Sequence, residues 1–294
     1  MSVFVEQNRS ECDFAGDDSW VILSPIEQSI KSKIEAIGTP LKDWDINIYR
    51  GILTGFNEAF IISTDKRNEI LSNCQSDDER KRTEEIIRPI LRGRDIKKYS
   101  HDWANLWLIN SHNGVKGRIP RINIDEYPAV KAHLDQYWNK IKNRADKGDT
   151  PYNLRNCAYL EDFQNPKIMY PNMTKYIPFY FDTKGFYQND KSFMITGRCL
   201  AFLAAFLNSS LFKFCFLNNF PELQGGTREL RKIFFDKIPV KQVSKDVDNQ
   251  YYDLVCNMQQ NPNKQLAIEI DNLIFSEYGL TEEERQIIGF IEIL

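Results

Sequence analysis

The chain has no Pro-Pro pair, no CxxC pair, no glycine-rich phosphate loop and only three histidines, and each scarcity removes a class of chemistry. Without GxGxxG or a Walker sequence, nothing marks a nucleotide-phosphate cradle, which needs glycine-freed backbone amides at the mouth of a helix. His101, His112 and His133 do not fall at metal-ligand spacing on one helix. The six cysteines are scattered singly, so neither a zinc knuckle nor a redox pair can be drawn, and reduced thiols in a cytoplasmic protein are the simplest expectation. No apolar run reaches the roughly 20 residues that cross a bilayer, and the opening MSVFVEQNRSECDFAG lacks the apolar centre of a signal peptide. No membrane partner is expected. An amino-group methyltransferase needs an Asn/Asp-Pro-Pro-aromatic loop, which this composition rules out for these residues. A metal-dependent nuclease needs Pro-Asp followed by Asp/Glu-x-Lys, the carboxylates to hold the cation and the lysine to polarise water. Glu79-Arg80-Lys81, Asp95-Ile96-Lys97 and Asp182-Thr183-Lys184 supply only the short half, and no Pro-Asp pair exists. His133, Asn153 and Cys157 can be assembled on paper into a nucleophilic set, but triads are recognised by geometry and their spacing does not single them out.

What is present is ordinary globular material with one unusual stretch. At 294 residues, 42% hydrophobic and 27% charged, the chain can bury a sizeable core, as one large domain with a smaller appendage. Its net charge is only −3, yet between Arg80 and Arg121 eleven cations face four anions. A positive field confined to one region of a mildly acidic protein is what a phosphate-binding face looks like. A solvated charged helix and loop remains the alternative.

Periodicity supplies the scaffold around that stretch. Ser24-Pro25-Ile26-Glu27 is a capping box with proline at the first helical position, followed by Ile26, Ile30, Ile34 and Ile37 at helical spacing. Residues 44–49 alternate as a half-buried strand does, and Gly51 and Gly55 then punctuate a turn where a positive φ or a close backbone approach is expected. Thr54 and Asn57 beside them are weaker binding candidates. A second capping box is read at Ser76-Asp77-Asp78-Glu79. Strands are expected at 3–5, 20–23, 106–109, 167–170, 176–181 and 192–195, and a helix from Tyr127 to about Gly148 with Val130, Leu134, Tyr137, Trp138 and Ile141 inward. Residues 200–207 are apolar all round and predict a buried helix. After Gln242 the composition turns polar, suggesting a boundary, with a closing helix through Ile270 and Ile274 and another begun at Thr281-Glu282-Glu283-Glu284. The expected class is α+β: mixed or antiparallel sheets with flanking helices and a C-terminal helical pair. Residues 1–23 read as a junction to an upstream region, 24–242 as the main domain and 243–294 as a C-terminal helical segment.

The succession DINIYRGILTGFNEAFIIS (45–63), RPILRGRDIKKY (88–99), YPAVKAHLDQYWNKIKNRADKGDTPYNLRNCAY (127–159), PKIMYPNM (166–173), LAAFLNSSL (203–211), GGTRELRKIFFDKIPV (225–240) and IDNLIFSEYGLTEEE (270–284) resembles the TaqI-like C-terminal specificity domain. That is the target recognition domain of type IIG restriction-modification enzymes and adenine-specific DNA methyltransferases. The resemblance implies a double-stranded DNA partner and an upstream methyltransferase region or subunit. That region would use S-adenosylmethionine to methylate adenine N6, with magnesium if the parent also cuts, and this chain itself would hold no cofactor and no metal. Arg92, Arg94, Lys97, Lys98, Lys116, Arg118 and Arg121 are then expected on phosphates, which sets register. Tyr170, Asn172, Thr174 and Lys175 in one loop, with Thr227 and Arg228 after the Gly225-Gly226 turn in another, are expected to read base edges. Two rival readings are a nuclease using Asp95 and Lys97, and an interaction subunit docking on a methyltransferase through its helical tail.

Overall fold

The computed structural model describes residues 24–290, so the strands expected at 3–5 and 20–23 and the junction lie outside the described residues. Helix α1 (Pro25–Ile37) begins as its capping box dictates: Ser24 Oγ accepts from Glu27 N, the Glu27 carboxylate accepts from Ser24 N at 2.7 Å, and Ile30 and Ile34 are buried. The chain continues through β1 (Gly38–Pro40), β2 (Ile46–Arg50), the helical turn α2 (Asn57–Phe60), β3 (Ile61–Ser63), α3 (Thr64–Ser72), α4 (Asp77–Ile86) and β4 (Ile87–Leu91). At α4 only half of the expected capping box forms. Ser76 Oγ takes the Glu79 amide, but the buried Glu79 carboxylate turns away to accept from Gln75 N at 2.7 Å and Ala129 N at 2.9 Å, pinning a second helix. A hairpin of β5 (Ile96–Lys97) and β6 (Ser100–His101) and strand β7 (Leu106–Ile109) follow.

The helix expected over 127–148 is instead α5 (Pro128–Asp135) and the turn α6 (Trp138–Ile141), offset at Gln136-Tyr137. That offset rotates Trp138 outward, 39% exposed against Tyr152, while Val130, Leu134 and Ile141 keep to the core. Then come β8 (Lys167–Pro171), β9 (Met173–Thr174), β10 (Tyr180–Asp182), β11 (Tyr187–Gln188), β12 (Ser192–Gly197), α7 (Leu200–Leu207), α8 (Ser210–Phe216), β13 (Arg228–Glu229), α9 (Lys232–Phe235) and β14 (Pro239–Lys241). Of the strand expected over 176–181 only its last two residues pair, so Tyr176 lies in a loop. Three helices close the described chain: α10 (Lys245–Gln260), α11 (Lys264–Glu277) and α12 (Glu282–Ile288). The first was not expected from the polar composition, though Val247, Tyr251, Val255 and Met258 recur at helical spacing behind the Ser244 cap.

The fold is α+β. One antiparallel sheet runs β10-β8-β12-β2, and a second runs β11-β4-β7-β3 with only its β11–β4 pair parallel. Two-residue alternation gives the first sheet two lined faces. Ile168, Tyr170 and Ile195 face a core built with α1, α7, α8 and the three closing helices, while Met194 faces the core under the second sheet. Every residue of α7 is buried, and its leucine and phenylalanine side chains contribute about 1.5–3 kcal/mol each on burial. Residues beyond 242 share that core rather than setting up their own, because Tyr251, Val255, Ile270 and Ile274 pack within it. No single described helix is long and apolar enough to cross a membrane, and the α7–α8 pair is bent by 66°.

Candidate nucleic-acid interface

Strand β8 leaves its sheet at Pro171, and the next residue ties three segments together. Asn172 N donates to Lys191 O at 2.9 Å, and Asn172 O accepts from Leu230 N at 2.8 Å. Met173 and Thr174 then pair antiparallel with Glu229 and Arg228, so the two loops expected to read bases are strands of one short ribbon. Gly225 and Gly226 turn it with φ of 75° and 77°, in the left-handed region that glycine adopts without penalty. Lys175 Nζ lies over this turn, 3.9 Å from where a β-carbon on Gly225 would stand. Thr174 Oγ1 donates to Tyr176 O at 2.7 Å and accepts from Tyr176 N at 3.1 Å, closing the loop on itself. Thr227 O accepts from Leu223 N at 2.6 Å.

Arg228 is turned inward along the ribbon. Its guanidinium donates to Phe220 O at 2.8 Å, Asn218 Oδ1 at 3.0 Å and Glu222 Oε2 at 3.0 Å, with the side chain 17% exposed. It braces the loop instead of presenting donors to a base. Lys175 is exposed and has no acceptor or carboxylate partner among the described residues, and Arg231 is exposed beside Glu229.

A second group of cations adjoins the base of the ribbon. The 3-10 turn Gly93–Asp95 packs on the 189–191 turn, where a β-carbon at Gly93 would stand 2.6 Å from Lys191 O. Arg94 therefore sits exposed beside that turn, without an ionic partner among the described residues. Lys191 and Arg50 both meet Asp190, at 3.4 Å each. Contacts then run on: Tyr159 Oη donates to Arg50 O at 3.0 Å, and Arg118 Nη2 to Ala158 O at 3.3 Å. Arg118 and Arg121 pair with Glu161 at 2.9 Å and Asp149 at 3.3 Å, and Lys116 stands exposed with no ionic partner among the described residues.

Three expected contacts are placed elsewhere. Tyr170 falls on the helix-facing side of β8, fully buried among Phe179, Phe193 and Phe235, and reaches no base. Arg92 is bound to Asp95, whose Oδ2 accepts from Arg92 N and Nε and whose Oδ1 accepts from Nη2 at 2.8 Å; that pairing raises the arginine's pKa and uses both carboxylate oxygens. Lys98 points inward. Burial pulls its pKa down to about 8, with Asp271 opposing and Lys213 adding to the fall. Lys97 is exposed, 3.9 Å from Asp102. Asp95 is thus committed to Arg92, and among the described residues no three His, Cys, Asp or Glu side chains converge to hold a metal. Arg50, Lys191, Arg231 and Tyr176 were missed; Arg231 alone had a sequence signal, three residues after Arg228 in the same glycine-led loop.

The turns read as structural have defined geometry. A β-carbon at Gly51 would stand 2.0 Å from Asn189 O, and Gly55 has a φ of 67°. Arg144, buried over the Phe60 ring, donates to Thr54 O at 2.6 Å and to Pro151 O at 3.2 Å, also reaching Asp146 O and Asn153 O, and so anchors the Thr54 turn to the 146–153 loop. Thr54 Oγ1 is spent on Asn57 Oδ1.

The sequence profile of the TaqI-like C-terminal specificity domain matches residues 88–240, just over half of the chain. The type II methyltransferase M.BstVI of Geobacillus stearothermophilus is 24% identical over 283 residues, 94% of this chain and 47% of that protein. Two solved structures share the fold at 12% identity. The type IIL restriction-modification enzyme MmeI in complex with DNA superposes with a TM-score of 0.57 over 82% of this chain and 33% of its own. The type IIG restriction endonuclease BpuSI gives 0.54 over 90% and 32%. The chain spans about half the length of the curated relative and about a third of each solved one.

Proposed function

This chain belongs to the family of the TaqI-like C-terminal specificity domain, and from that premise we propose that it is the double-stranded DNA recognition module of a restriction-modification enzyme or adenine-N6 methyltransferase. The observation that carries the reading is the β9–β13 ribbon, which joins two polar loops distant in sequence and sets Lys175 across its glycine turn. Lys175, Arg231, Lys191 and Arg94 hold phosphates, which fixes register, and Asn172, Thr174 and Thr227 are the polar groups nearest the base edges. Arg118, Arg121, Lys116 and Lys97 extend the phosphate contacts outward, each at the cost of loosening its present acidic partner where it has one. Methyl transfer from S-adenosylmethionine, and magnesium-dependent cutting if it occurs, fall to a catalytic region in the same polypeptide or a partner subunit. No step of either reaction is assigned to residues of this chain.

Enrichment of random-sequence duplexes on the purified 294-residue chain tests the reading, followed by affinity measurements over a salt series. One sequence is expected to emerge, with affinity falling as salt rises. Lys175→Ala and Lys191→Ala should each flatten the logarithmic salt slope by about 0.9. Enrichment of no sequence, together with unchanged slopes in both variants, would overturn the proposal.

A further inference from the structure

Ten large hydrophobic side chains are exposed among the described residues, and three of them, Met173, Tyr176 and Leu223, lie on the recognition ribbon and the loops that close it. Single exposed hydrophobics are normal on any surface, but several on one short ribbon mark a contact. Tyr176 is the most exposed of the ten at 77%. Its ring stacks on no other ring and its hydroxyl has no hydrogen-bond partner among the described residues. The backbone beneath it is nonetheless held: Thr174 Oγ1 clasps its amide and carbonyl, Ile177 is buried, and Phe179 N donates to Asn208 Oδ1 at 3.3 Å. An aromatic face is therefore offered to solvent from an anchored loop, with Lys175 adjacent in sequence and Arg231 on the neighbouring segment.

We propose that Tyr176 is a stacking residue, its ring entering the bound duplex against a base exposed by local opening of the helix, with Met173 and Leu223 as the apolar flank. The inference rests on the DNA-recognition reading above. Every nucleobase presents a π-face, but a duplex offers one only where a step is unstacked, so an aromatic at this position couples binding to opening. The cations around it favour a polyanion over a protein surface, since a protein interface of this size is depleted in lysine. Because stacking of one base on an aromatic side chain changes affinity roughly 5- to 150-fold, the effect is large enough to read.

The test uses the duplex enriched from the random pool, tiled with one abasic site at a time, against the intact chain. At one position, removal of the base should tighten wild-type binding at least about fivefold, because the cost of unstacking has been met in advance. Tyr176→Phe should keep that gain and Tyr176→Ala should lose it, with the salt slope the same in all three proteins because no cation is removed. A gain that survives in Tyr176→Ala, or a tile with no gain at any position, overturns the stacking role while leaving sequence recognition standing. A chain that enriches no duplex sinks the recognition reading instead, and this role with it.

Discussion

Replacing Arg228 by lysine separates a brace from a reader. The guanidinium spans three acceptors on residues 218–222: the main-chain Phe220 O at 2.8 Å, and the side-chain oxygens Asn218 Oδ1 and Glu222 Oε2 at 3.0 Å each. A lysine ammonium is a point donor and reaches at most one of these from the same backbone position. The Glu222 pair contributes little, because that carboxylate is more than half exposed and screened. Losing one or both of the bonds to Phe220 O and Asn218 Oδ1 costs the ordered loop about 1–2 kcal/mol, or roughly 5- to 30-fold in affinity if the ribbon must be ordered to bind. Fluorescence anisotropy with a labelled duplex at several salt concentrations measures both quantities that matter. Arg228→Lys should weaken binding by that factor with an unchanged salt slope, and protease should cut residues 217–227 faster. Undiminished affinity would refute the brace. A weakened affinity with no gain in protease cutting would instead place the guanidinium on the DNA, as a donor to a base edge.

Two further outcomes follow from buried charge. Lys98 has its pKa lowered by burial from 10.5 to about 8, so between those values the unfolded chain binds more protons and stability rises with pH. Holding the ammonium inside costs up to about 3 kcal/mol at pH 7; Lys98→Met should therefore be more stable than wild type in urea at pH 7, and the difference should shrink by pH 10, whereas a constant difference would refute the burial of the charge. The fully buried Lys167–Asp182 pair, 2.6 Å apart, also receives the amides of Lys184 and Phe186 on Asp182. Asp182→Ala should cost about 3–5 kcal/mol by leaving a buried ammonium unpaired, and a calorimetric loss below 1 kcal/mol would show that water reaches the site.

Much of the scaffold was legible because its signals are local. The capping boxes at Ser24 and Thr281, the all-apolar run of α7 and the alternating β2 each state their own conformation within a few residues. Where a distant partner competed with a local signal, the reading failed. Glu79 fits a capping box but its carboxylate is taken by Ala129 N, fifty residues on. Helix α10 hides its apolar stripe in a polar composition, so that only burial against α7 reveals which face matters.

The sequence alone determined the α+β class, most helix starts, the cationic stretch and the family to which the loops belong, since propensity, capping and composition act over short distances. Tertiary structure decided which of the cations are already engaged within the protein. It turned Arg92 onto Asp95, drew Lys98 toward Asp271, committed Arg228 to three acceptors in its own loop and buried Tyr170, while leaving Lys175, Arg94 and Tyr176 facing solvent. A side chain's type fixes which bonds it can make, but its availability depends on whether the fold already holds a partner within reach, a neighbour in the same turn or loop for Arg92 and Arg228, and for Lys98 a carboxylate on α11 that no local pattern connects to it.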